Sequence, residues 1–232
     1  MPETLIDDAP SESLDLYLRP TWFLDCDSPV VREFAERTIG EAASDIERAV
    51  RLYYAIRDGI RYNPYAMSPD PATFKASAVA TSESAFCIPK AVFLAAAGRA
   101  VGIPSRLGFA DVRNHLASAQ LLELMGTDVF AFHGYTEFHL EGKWVKATPA
   151  FNLTLCERFG VLPLEFDGRT DSIFHPYDAG GRRHMEYIRD RGAHADLPFD
   201  EMVRVMRETY PRFAARFMAA DAPPRDEFFD PE

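Results

Sequence analysis

The stretch CIPKAVFLAAAGRAVGIPSR, residues 87–106, decides the fold. It is apolar nearly all round from Cys87 to Val101, so a helix built from it belongs in the centre of a core rather than on a surface. Pro89 suits a first helical turn, where its missing N–H has no helical acceptor, and Gly102-Ile103-Pro104 ends the run. The spacing predicts a central helix over 87–101 and a short strand over 105–109. Cys87 opens that helix, where free backbone N–H groups and the helix dipole favour a thiolate. An inert buried thiol is the competing reading, since such cysteines are common in apolar helices.

Upstream of this stretch, Ser28-Pro29 reads as an N-cap with proline at N1, and Val30, Val31, Phe34, Ala35 and Ile39 fall at helical spacing before Gly40. Ser44 and Glu47 have capping-box spacing and start a second helix over 44–58. Residues 14–24, rich in Leu, Tyr, Trp and Phe, are expected to form an edge strand. Residues 60–82 are expected to be loop, with one helical turn at Phe74-Lys75-Ala76. Downstream, residues 115–125 read as a helix, 128–140 and 143–149 as a hairpin turning at Glu141-Gly142, and the tail as a helix near 200–218 with an acidic end. Helices come first and strands follow, which is an α+β arrangement. One domain over 1–232 is expected, with N-terminal helices at about 28–58, a core at about 80–152 and a C-terminal helical segment at about 199–219.

A thiolate enzyme needs an imidazole to take the thiol proton and return it to a leaving group. If Glu141-Gly142 is a two-residue turn, His139 faces Trp144, Glu137 faces Lys146 and Tyr135 faces Thr148. His133, Tyr135, Glu137 and Thr148 then share one face. Glu137 and Lys146 would form a cross-strand ion pair, and Thr148 would be a diagonal neighbour of His133. His115, His175, His184 and His194 have no ligand spacing with one another or with the cysteines, so no metal site is expected.

Three blocks together, residues 53–62, 87–106 and 133–152, resemble the transglutaminase-like superfamily in its order. The second carries a cysteine at a helix start and Gly-Ile-Pro-x-Arg at its far end. The third reads His133-Gly-Tyr-Thr-Glu-Phe-His-Leu-Glu-Gly-Lys-Trp-Val145. The resemblance implies a papain-like core, with the nucleophile helix packed on an antiparallel sheet. It also implies acyl transfer from an amide through a Cys87 thioester, with His133 as base and no cofactor. The family's aspartate after Trp-Val is replaced by threonine in Ala147-Thr148-Pro149. Thr148 is the third catalytic residue by position; a hydroxyl can orient an imidazole but cannot stabilise imidazolium by charge. Asn152, Asp167 and Asp111 are alternative orienting groups, and Glu137 and Tyr135 are possible supports. Arg106 is expected to close the helix end or bind a nearby carboxylate. The Cys87 N–H would serve the oxyanion, with a second donor sought in residues 62–65 or 82–84.

Hydrolysis, as a protease or amidase, is favoured because the 232 residues are a bare core without added β-domains. Transfer to an amine and a catalytically weakened binding module are the rivals. The net charge of -11 makes nucleic acid and anionic membranes poor partners and leaves a peptide, protein or small amide as the expected substrate. Three cysteines without CxxC spacing suggest a reducing compartment, and an acidic first stretch with no long apolar run suggests the cytoplasm. Oligomeric state is not legible.

Overall fold

The computed structural model describes residues 13–115, 117–174, 177–178 and 180–212. Its centre is the helix that the sequence places there. Helix α4 spans Cys87–Ala100, and every side chain from Cys87 to Arg99 is buried. Around it lie α1 (Pro29–Ile39), α2 (Asp45–Gly59) and the short α3 (Ala76–Val79). At α2 the predicted cap forms: the N–H of Glu47 donates to Ser44 Oγ, while the Glu47 carboxylate reaches one residue further back, to the N–H of Ala43.

The other side of α4 packs on a four-stranded antiparallel sheet of order β5-β4-β3-β6. Its strands are β3 (Ser105–Asn114), β4 (Val129–Leu140), β5 (Lys143–Ala147) and β6 (Met185–His194). The hairpin register matches the expectation from Leu140 opposite Lys143 through Glu137 opposite Lys146. Two glycines let helix and sheet approach. A side chain at Gly98 would meet Phe138 and Ser105 at 2.5 Å, and one at Gly134 would meet the Ile88 backbone at 3.1 Å. Between them, Thr136 Oγ1 donates to the Ala91 carbonyl. The helix is therefore seated on β4 from its first turn to its last.

Several expectations need correction. Residues 14–24 form no strand; Leu14–Tyr17 is a 3-10 turn whose Tyr17 ring packs edge-on against Trp144. The loop over 60–82 contains β1 (Arg61–Tyr62), paired in parallel with β2 (Ser84–Ala85), as well as a 3-10 turn and α3. Strand β3 runs five residues beyond the predicted 105–109, and α5 is confined to Ala119–Met125. Helix α6 (Leu153–Phe159) and strand β6 were not anticipated. Helix α7 spans Phe199–Thr209; residues 213–218 of the predicted tail helix lie outside the described residues. Among the described residues, no helix is long and apolar enough to cross a membrane.

Candidate active site

Cys87 stands at the first position of α4, where helical N–H groups have no intrahelical acceptor. Gly134 brings β4 against this end, so the backbone amides of Gly134, Ile88 and Cys87 itself all favour a negative sulfur. Burial works against them and prevails, pushing the thiol up to about 11. His133, the residue before Gly134, lines the same cavity as Cys87. Its ring packs on Phe174 at 4.8 Å between centroids. Nε2 is buried with no hydrogen-bond partner, and burial pulls the imidazole down to about 3. At rest the two groups are a neutral thiol and a neutral imidazole.

The third position is occupied but idle. Thr148 is buried, and its Oγ1 has no hydrogen-bond partner, so it does not hold the imidazole. The Thr148 carbonyl instead accepts from Tyr53 Oη at 3.1 Å.

The proposed alternatives are spent elsewhere. Asn152 Oδ1 accepts from the N–H of Tyr62 and its Nδ2 donates to Thr154, which tethers β1 rather than His133. Asp167 organises a turn at Arg169 and Thr170. Glu137 pairs with Arg106 at 2.7 Å, not with Lys146, which lies 5.0 Å from the Tyr135 ring centre. Arg106 thus binds a nearby carboxylate, and Glu137 and Tyr135 support the sheet rather than the ring of His133. The amides of Tyr62, Asn63 and Tyr65 are also engaged, so the backbone of residues 62–65 has no free donor for an oxyanion.

Asp111 does reach the site's strand, one residue short of the histidine. Its carboxylate takes a bidentate pair from Arg191, at 2.6 and 2.9 Å, and the N–H of Phe132 at 3.1 Å. Phe132 sits at φ 57, where the β3–β4 register slips, and the Arg191 guanidinium lies 4.6 Å from its ring centre. This clamp sets the backbone leading into His133. An acidic residue inside the apolar run Leu107-Gly-Phe-Ala-Asp-Val112 was its signal in the sequence, because a buried carboxylate needs a cation.

The transglutaminase-like superfamily matches residues 32–149, slightly more than half of the chain. The chain belongs to that superfamily. The match runs from α1 to the end of the hairpin and so contains α4, β4 and both candidate residues. Among solved structures, a candidate cysteine protease of Cytophaga hutchinsonii is similar at 16% identity with a TM-score of 0.48, over 79% of this chain and 55% of that one. The chain thus spans little more than half of that protein. No curated protein matches. Membership in the superfamily supports a cysteine-dependent enzyme in general, built on the α+β core described above.

Proposed function

We propose that this superfamily member is a cysteine amide hydrolase, a protease or amidase, with Cys87 as nucleophile and His133 as general base. The observation that carries the reading is the first turn of α4, where Cys87 faces three favourable amides in a cavity it shares with His133. In the acylation step Cys87 Sγ bonds to the amide carbonyl carbon as its proton passes to His133. The tetrahedral intermediate then expels the amine, which takes that proton, and leaves a thioester. Water attacks the thioester, giving its proton to His133, and the Cys87 thiol is restored with release of the acid. Because both groups rest neutral, proton transfer accompanies attack instead of preceding it. The Cys87 N–H is the oxyanion donor. Water is the favoured acceptor: an amine arrives mostly as ammonium, and no carboxylate lines the cavity among the described residues.

The unpartnered Thr148 hydroxyl favours one second reading, a binding module that keeps the fold with weakened chemistry. Incubation with p-nitrophenyl butyrate, followed by peptide mass spectrometry, separates the two. The enzyme reading expects an acyl group on Cys87 alone, formed about a hundredfold more slowly in His133→Ala, and released at a rate that added glycine ethyl ester leaves unchanged. Acylation no faster at Cys87 than at Cys26 and Cys156 would give the second reading the lead.

A further inference from the structure

We propose that the cavity beside Cys87 receives a compact, uncharged apolar group on the acyl side of the substrate, which deepens the hydrolase reading and rests on it. The cavity holds about 70 Å³ and opens to solvent on one side, room for an alkyl group of a few carbons beside the scissile bond. Cys87, His133, Asn114 and the phenols of Tyr62 and Tyr210 are its polar lining groups; the other walls are aliphatic, aromatic or thioether side chains. No Asp, Glu, Lys or Arg lines it among the described residues, although 26% of the chain is charged. A charged group entering such a space would lose its water without gaining a partner, whereas an apolar one would be driven in.

Two features sharpen the class. Four of the chain's seven methionines, Met67, Met125, Met185 and Met206, are in the wall. Unbranched thioethers adjust to differently shaped guests, so the cavity suits a range of apolar groups rather than one outline. The wall is also preformed. Tyr210, just past α7, donates from its hydroxyl to the Val129 carbonyl and accepts from the N–H of Ala131, which fixes α7 against the start of β4. With the nucleophile in the same cavity, burial of the apolar group can place a carbonyl at Sγ.

The test uses the whole protein with 13C-methyl methionine and two non-hydrolysable ketones that carry their variable group on the acyl side, 2-hexanone and the anion levulinate. 2-Hexanone is expected to shift the methyl resonances of Met67, Met125, Met185 and Met206, leaving Met202, which is buried outside the cavity, in place; levulinate is expected to shift none. Equal shifts from both ketones, or none from either, overturn the proposal. A parallel arm compares Cys87 alkylation by 1-chlorohexan-2-one and the anion 5-chloro-4-oxopentanoate, each normalised to its rate with glutathione. A preference of about tenfold or more for the first is expected. Shifted methyls with an unreactive Cys87 would leave the cavity assignment standing and remove the hydrolase reading. A reactive Cys87 without preference and without methyl shifts would do the reverse.

Discussion

At the scale of single residues, the site rests on burial rather than on charge. An imidazole whose Nε2 has no partner, pulled down to about 3 from an ordinary 6.5, is kept neutral because its protonated form would be charged and unpaired. The consequence for stability has a definite sign. Between pH 6.5 and about 3 the unfolded chain binds a proton at His133 that the folded chain refuses, so unfolding takes up a proton and stability falls with pH. This one group contributes a slope of up to about 1.4 kcal/mol per pH unit in that window. Urea denaturation of wild type and His133→Gln at pH 7, 6, 5 and 4 (about one unit apart) reads it directly. The wild type is expected to lose stability more steeply by about that amount; parallel slopes would mean that His133 takes up its proton as readily in the folded chain as in the unfolded one, and that burial does not hold it neutral.

At the scale of elements, the sequence was most legible where one rule sufficed. The nearly all-apolar run after Cys87 reads as a buried helix, and a two-residue turn at Glu141-Gly142 fixed the hairpin register without further information. It was least legible where long-range partners decide. Strand β6 is exposed along most of its length, and its pairing with β3 could not be read from local alternation. The bulge at Phe132 depends on Asp111 and Arg191, residues 80 positions apart. Likewise Asn152 had the side chain to orient an imidazole, but β1 claims it. The bulge carries its own prediction. A non-glycine residue at positive φ costs on the order of 1 kcal/mol, and the carboxylate of Asp111 holds both the Phe132 amide and a nearly buried guanidinium. Removing it in Asp111→Ala strands that cation and should cost about 3 kcal/mol in urea denaturation, while the rate of Cys87 acylation drops because the backbone before His133 is no longer held. A stable variant with full acylation would show that the clamp does not position the histidine.

For the whole molecule, the question is what holds the helical side and the sheet side in one arrangement at the nucleophile. Lys90, one turn into α4 from Cys87, is fully buried, and its ammonium donates to the carbonyls of Arg57 at 2.8 Å, Ile60 at 2.6 Å and Ala150 at 2.9 Å. The first two are at the C-terminal end of α2, where helical carbonyls lack intrahelical donors; the third follows the hairpin, two residues past Thr148. One side chain thus ties α2, α4 and the exit of β5 together. Burial pulls its pKa down to about 7, but three carbonyls claim three N–H groups, a demand that only the ammonium form meets. In Lys90→Met the alkyl volume is retained and the three carbonyls are left without donors, each at a cost of about 1–3 kcal/mol. The loss expected is therefore at least about 3 kcal/mol, read as a lower urea midpoint at an unchanged m-value. Because Lys90 and Cys87 share a helix face one turn apart, the same variant should also slow Cys87 acylation even in the fraction that remains folded. A loss below about 1 kcal/mol would mean that the layers are held by apolar packing alone and that the lysine is replaceable.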